Sequence, residues 1–496
     1  MKKNESLTKK TFVLTLGRTV GLVINILIPI SLVRILSVSD FGTYKLIGTV
    51  TLFLTAVAPL GIVQSLYYFI PTNREHPDAV VNNTLLFLLA SGGACALAGF
   101  VLHHANLLWF TRGFTPALFL ATLLIFLTSL LNSIAPPYLI SNNQTTAGAK
   151  YLALNDIVGA TLIMVFAFWG RSISWVLAGW ALAGLVMLVV TMSYFRRYMS
   201  LRIAKGLMKE QLNYALPFGL ANIASMSQFY LHQFVISAFF TSAMFAIYSV
   251  GTFQLPLVRI WYSSVADIIL VRITELRAKG DVAGVLSVWL NSVRKLALVF
   301  IPAMALMLIV SRDFITTVFT VQYTESIPIF IISLGQYLTY IVNCHSVLRA
   351  FDETKYILRI NLVMLAITTI MLAGFVHFFG VVGAAVATTL AAYTSNGLML
   401  VKIASILSIR VCQLFPWQDL WKIAILSIGS ALIALLVAYP FPLAVLRLIV
   451  AGIVFSVAYL AGLWVIPGLL SREEQSTLRL LIHKMVGKTS LTRYEP

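Results

Sequence analysis

Two arginines, Arg18 and Arg259, stand inside apolar stretches. A charge at the centre of a membrane-spanning helix costs about 2.5–3.5 kcal/mol on insertion scales, so each is a functional candidate by default. Arg18 is shallow enough to snorkel towards the nearer interface, whereas Arg259 falls near the middle of its helix. Carboxylates at depth are scarcer: Asp156 and Asp267, both towards helix ends. Arg259 and Asp267 are eight residues apart, roughly 12 Å along a helix and too far to pair directly. The deep charge is therefore positive. A guanidinium matches phosphate oxygens bidentately, so such a charge suits a phosphate-bearing ligand. Polar stripes accompany it. Asn222, Ser225, Gln228 and His232 lie at steps of three, three and four, on one helical face. Gln336, Thr339 and Asn343 form a second stripe, and Arg18, Gly21 and Asn25 a third. These groups could donate to sugar hydroxyls or simply hydrogen-bond neighbouring helices; His232 taken alone reads as a satisfied bundle histidine. The candidate substrate-binding set is Arg18, Asn25, Asn222, Ser225, Gln228, His232, Arg259, Gln336 and Asn343.

The elements that must position these residues follow from composition. Of 496 residues, 59% are hydrophobic and only 10% charged, against about 25% charged in soluble proteins. The mean hydropathy is +0.92. Unbroken apolar runs exclude an alternating outer-membrane barrel, and lipid excludes an open sheet. Reading the runs between polar punctuation predicts helices near 12–33, 46–70, 80–102, 115–139, 151–169, 174–194, 212–239, 244–270, 289–310, 327–347, 358–379, 381–401, 421–439 and 445–466. These are numbered helices 1 to 14 below. Pro136-Pro137 and Pro217 are expected to bend helices 4 and 7.

The net charge of +18 is distributed by side. With a cytoplasmic N-terminus, 27 of the 35 Lys and Arg fall on the inner side and six on the outer, which places both termini inside. The basic charge is a topology signal and a contact for anionic lipid, and no nucleic-acid footprint is expected. The N-terminal lysines and the apolar run after them read as an uncleaved first helix. Segments 195–211 and 271–288 read as basic and amphipathic. In the tail, Ser471 and Glu474 fit a capping box ahead of Leu478, Leu481, Ile482 and Met485, a helix lying on the inner membrane surface.

Other chemistry finds no residues to carry it. The three cysteines, Cys95, Cys344 and Cys412, are scattered and match neither a disulfide framework nor metal-ligand spacing. A Walker-type glycine loop and a catalytic outer loop are both missing. We expect no metal, no cofactor and no enzymatic activity.

The chain also repeats itself. Phe41-Gly42-Thr43-Tyr44 after helix 1 and Phe245-Ala246-Ile247-Tyr248 after helix 7 are 204 apart, as are Asn132 and Gln336. Lys150-Tyr151 and Lys355-Tyr356 are 205 apart. Six helices separate the copies, an even number, so the repeat is parallel and its axis runs along the membrane normal. The expected fold is an all-α polytopic membrane protein of about fourteen transmembrane helices. Two six-helix lobes, 1–211 and 212–402, would face a central cavity, with helices 13 and 14 (403–470) and the tail (471–496) appended.

On these residues a family resemblance appears. The run Val33-Arg34-Ile35-Leu36-Ser37-Val38-Ser39-Asp40-Phe41-Gly42-Thr43-Tyr44 resembles the opening signature of bacterial polysaccharide flippases, within the multidrug/oligosaccharidyl-lipid/polysaccharide exporter superfamily. The two Lys-Tyr segments resemble the recurring loop after the fourth helix of each lobe. Gly17-Arg18-Thr19-Val20-Gly21 is similar to the opening of its peptidoglycan-precursor flippases. The resemblance implies alternating-access transport of an undecaprenyl-pyrophosphate-linked oligosaccharide, an O-antigen or exopolysaccharide repeat unit, from the inner to the outer leaflet of the bacterial cytoplasmic membrane. Membrane lipids, a polysaccharide polymerase and other assembly proteins would be its partners. A multidrug or cation antiporter of the same superfamily and a membrane polysaccharide polymerase or ligase are the alternatives. The charge asymmetry has a direct check: single substitutions Arg112→Cys, Thr241→Cys and Arg312→Cys should label with an impermeant thiol reagent from outside spheroplasts, and Lys205→Cys should not. Labelling at position 205 would invert the topology.

Overall fold

The computed structural model describes residues 21, 24, 26–73, 77–111, 114–196, 204–466 and 469; for 110, 256, 257, 259 and 260 it describes the backbone alone. All fourteen windows hold helix, and no strand occurs among the described residues. Helix 1 is described over Ile26–Ile35. Helix 2 is split into 2a, Val38–Val57, and 2b, Ile62–Thr72, with a 43° bend between them. Helix 3 is Pro77–His104, and helix 4 comprises 4a, Pro116–Asn132, and 4b, Ala135–Ser141. Helices 5 and 6 are Thr145–Gly170 and Ile173–Phe195, and helix 7 is Lys205–Phe239. Helix 8 divides into 8a, Ser242–Gly251, and 8b, Pro256–Ala278. Helix 9 is Val282–Phe314. Helix 10 comprises 10a, Ser326–Leu334, a 3-10 stretch Gly335–Ile341, and 10b, Cys344–Ala350. Thr354–Leu407 holds helices 11 and 12, parted where Gly380 leaves helical geometry. Helices 13 and 14 are Trp417–Ala438 and Ala444–Val465. The capping-box tail lies outside the described residues.

Nine of these helices are long and apolar enough to span a bilayer, or ten with the bent helix 2 counted as one span, among the described residues. Helices 11 and 12 count once in that number because they run together. Helices 1, 7 and 8 do not qualify: the first is described only in part, the second carries the polar stripe, and the third is split.

Contacts divide the chain into two compact units, Met1–Pro256 with Val318–Ile329 and Leu358–Ala391, and Leu257–Thr317 with Phe330–Ile357 and Ala392–Pro496. Helix 4 is interrupted at Ser133–Ile134, just ahead of its proline pair, which opens 4b where missing N–H groups cost nothing. Helix 7 runs uninterrupted through Pro217. Between helices 5 and 6 Arg171 takes a left-handed conformation (φ +47°).

Within the first unit the repeat becomes visible as a contact. Ser37 and Thr241, 204 apart, cap 2a and 8a in the same way, each accepting from the N–H three residues on. The two signature segments then touch. A β-carbon at Gly42 would run into the carbonyl of Ser242 and lie 3.3 Å from Ala246 Cβ. Gly42 meets its own repeat partner, which two related helices can do only beside the axis relating them. Further along, helix 2 turns at Leu60 (φ +49°) and Gly61 (φ +83°), where its backbone rests on helix 7 at Ala215 and Gly219. Beyond helix 2 the register changes. The seven-residue segments 4b and 10b start 209 apart, and so do the left-handed pairs Asn143/Asp352 and Arg171/Gly380. The Lys-Tyr pairs matched at 205 therefore sit about one helical turn out of equivalence, and Asn132 is not the structural partner of Gln336. The extra length lies in helix 9, 33 residues plus a five-residue π turn, against 28 in helix 3.

Gly42→Ala should lower the thermal unfolding midpoint of the detergent-solubilised protein, an overpacking cost of about 1–3 kcal/mol. Gly93→Ala, where a β-carbon meets nothing within 4 Å, should leave the midpoint unchanged.

Candidate functional site

In the second unit the candidates Arg259, Gln336 and Asn343 lie on helix 8b and along the interrupted helix 10. Helix 8b opens at Pro256, and Arg259 is its fourth residue. The first turn of a helix presents N–H groups without intrahelical partners and the positive end of the macrodipole. Arg259 therefore adds a cation to a backbone end already suited to an anion. The sequence places it mid-helix; the break at Thr252–Leu255 makes it a helix-terminus residue. One turn on, Tyr262 donates to Asn343 Oδ1 at 3.5 Å, and another turn on, Ser346 Oγ donates to the Ala266 carbonyl at 3.1 Å. Helix 8b is thus tied to the break in helix 10.

That second break spans Val342 and Asn343, after the 3-10 stretch. Asn343 caps 10b, its Oδ1 accepting from Ser346 N–H at 3.3 Å. Thr339 donates to the Gln336 carbonyl at 2.7 Å, and Gln336 itself is half-buried. Tyr262, Tyr340 and Phe300 form an aromatic group beside Asn343, with ring centroids 5.4 and 5.8 Å apart. No proline marks this break, which is why the sequence gives helix 10 as continuous. Tyr262 was legible only through its i+3 spacing from Arg259.

Within the first unit the helix 7 stripe divides. Asn222 donates to the Ala56 carbonyl of helix 2 at 2.9 Å, and His232 is hydrogen-bonded to Tyr248 at 2.7 Å. Ser225 is exposed and donates only to Ala221 one turn back. Gln228 is half-buried. Arg18 and Asn25 lie outside the described residues. Their stripe-mate Gly21 is buried against the Asp156 carboxylate, which a β-carbon there would strike. Asp156 is also deeper than its sequence window implies, twelfth in a helix that begins at Thr145. Asp267, twelfth in 8b, is exposed.

Other buried polar groups belong to the scaffold. Tyr151 is hydrogen-bonded to Thr191 at 2.6 Å, Thr191 donates to Asn132 Oδ1 at 2.8 Å, and Asn132 donates to the Gly184 carbonyl at 3.1 Å. This closed network joins helices 4a, 5 and 6. Asn83 and Ala204 exchange two bonds, tying helix 3 to the start of helix 7. Among the described residues no group of three or more His, Cys, Asp or Glu is placed to hold a metal ion.

The model of a polysaccharide biosynthesis protein family matches residues 31–328, more than half of the chain. The chain belongs to that family. Members of the wider fold are recognisable among solved structures. The inward-closed lipid II flippase MurJ superposes with a TM-score of 0.72, at 15% identity over 96% of this chain and 100% of that one. A MOP superfamily transporter from Pyrococcus furiosus gives 0.54 at 14% identity over 81% and 95%. An outward-facing multidrug resistance MATE family transporter gives 0.53 at 13% over 82% and 97%. What this family member shares with them is the fold of a multi-pass membrane protein. No curated protein sequence matches the chain.

Tyr151→Phe leaves buried hydrogen-bonding groups on helices 4a and 6 without their partner, at a cost of about 1–3 kcal/mol. It should lower the amount of folded protein recovered from membranes and leave transport per folded molecule at the wild-type level. A loss of transport at normal abundance would move Tyr151 into the site.

Proposed function

We propose that the protein is a lipid-linked oligosaccharide flippase. It moves an undecaprenyl-pyrophosphate-linked repeat unit from the inner to the outer leaflet of a bacterial cytoplasmic membrane, with both termini inside. The observation that carries this reading is the combination of a family match to polysaccharide biosynthesis with a fold shared, over nearly all of both chains, with a lipid II flippase. The site supports it chemically. A lone arginine in the first turn of a half-helix suits a pyrophosphate, and discontinuous helices are where membrane transporters expose backbone donors to anionic groups. The polar and aromatic side chains at the helix 10 break, with Ser225 and Gln228 of helix 7, suit a hydroxyl-rich headgroup. In this reading, 1–211 and 212–402 act as the two lobes of an alternating-access cycle, and no bond is made or broken. Lipids and the enzymes that polymerise the exported unit are the expected partners.

One observation favours the antiporter alternative: Asp156 sits well inside the first half of the chain, where a carboxylate would suit a cation. The sign of the charge at helix 8b weighs against it.

The test is the appearance of lipid-linked glycan in the outer leaflet, normalised to inserted protein. Arg259→Ala removes a charge-assisted contact commonly worth about 1.5–3 kcal/mol, so transport should fall roughly ten- to hundredfold with insertion intact. Arg259→Lys keeps the charge without the fork and should recover part of it. Wild-type transport by Arg259→Ala would remove the arginine from the site.

A further inference from the structure

The fourth helix of each half is interrupted at an equivalent position, but the two interruptions differ: 4a passes to 4b through Ser133 and Ile134 in right-handed helical geometry, whereas Val342 is extended and Asn343 non-helical between the 3-10 stretch and 10b. Segments 4b and 10b are each seven residues long and start 209 apart, so Ile134 and Asn343, which open them, are repeat partners. In the first copy the break is apolar. Ile134 is fully buried, makes no side-chain cap, and shares a core cluster with Leu131 one turn earlier. This shallow interruption forms without a polar side chain. In the second copy the same two positions carry Asn343 and Tyr340. Asn343 is only 1% exposed, and its Nδ2 has no hydrogen-bond partner among the described residues. Burying an amide donor unpaired is unfavourable, and native structures rarely keep such a group without a reason. Here the Oδ1 of the same amide serves the backbone by capping 10b, and the Nδ2 is the atom left over.

The surroundings indicate what the donor meets. Tyr262 and Tyr340, tilted at 60° to one another, are half-buried beside it. Aromatic faces next to an amide donor suit a sugar, whose C–H face packs on rings while its oxygens accept hydrogen bonds. Position adds a further constraint. Tyr262 follows Arg259 by three residues on helix 8b, one turn along the same face and about 4.5 Å up the axis.

We propose that the break in helix 10 is a saccharide subsite for the sugar joined directly to the pyrophosphate. Asn343 Nδ2 donates to an oxygen of that sugar, and Tyr262 and Tyr340 flank its ring. This rests on the flippase reading above and adds that sugar recognition belongs to the second copy alone.

The experiment measures binding to purified protein in nanodiscs of three probes: farnesyl pyrophosphate, and farnesyl pyrophosphate carrying one N-acetylglucosamine or one galactose. Wild type should bind at least one conjugate more tightly than the sugar-free probe. Asn343→Ser, which keeps an oxygen to cap 10b, should weaken that conjugate about two- to tenfold and leave the sugar-free probe unchanged. Asn343→Ile, which installs the first copy's residue, should do the same. Equal weakening of all three probes would place the donor on the pyrophosphate or expose a general defect, and overturns the subsite. Unchanged binding in both variants overturns it too. Wild-type protein that binds all three probes equally overturns the subsite and leaves the pyrophosphate reading standing, whereas binding of none sinks the flippase reading itself.

Discussion

Lipid offers the backbone no hydrogen-bond partner, so a spanning helix can be interrupted only where protein or a polar ligand satisfies what it leaves open. Among the described residues four spans are interrupted: helix 2 at Ala58–Gly61, helix 4 at Ser133–Ile134, helix 8 at Thr252–Leu255 and helix 10 at Val342–Asn343. The first two breaks are filled by neighbours. Helix 2 turns against the backbone of helix 7, and helix 4 turns inside an apolar cluster. The other two are bordered by Arg259, Tyr262, Tyr340 and Asn343. The same backbone device is thus filled by packing in one copy and lined by polar and aromatic residues in the other.

Charge follows the same division. Arg447 of helix 14 grips Asp313 of helix 9 with two parallel bonds of 2.8 and 2.6 Å, a fork-to-carboxylate pair that fastens an appended helix to its neighbour. Trp289 and Tyr459 fasten the same region through backbone carbonyls of Leu414 and Leu298. These polar side chains are spent on structure. Arg259 instead falls in the first turn of 8b, the positive end of a helix.

The repeat shows how far a duplicated pattern can drift while keeping its geometry. Helices 2a and 8a keep their register and touch at Gly42 and Ala246, because any side chain larger than hydrogen at position 42 would part them. From helix 4 onward the register is 209. A longer helix 9 absorbs the difference, and its π turn lets added residues enter without losing the backbone ladder.

The sequence by itself determined the class of fold: apolar runs of spanning length mark the helices, and the Phe41 and Phe245 segments reveal duplication. Those are local or one-dimensional properties, and bilayer thickness converts them directly into architecture. It also picked out Arg259, Gln336 and Asn343 by polarity alone. It did not reveal that Arg259 falls in the first turn of a half-helix, that Tyr262 hydrogen-bonds to Asn343, or that Asn222 and His232 hydrogen-bond to neighbouring segments. The break in helix 10 has no proline to announce it, and a Lys-Tyr coincidence at 205 looks as good as a true equivalence at 209. Only tertiary structure decides such matters. Whether a buried polar group is satisfied depends on which carbonyl another helix brings within 3 Å, and sequence spacing carries no information about that.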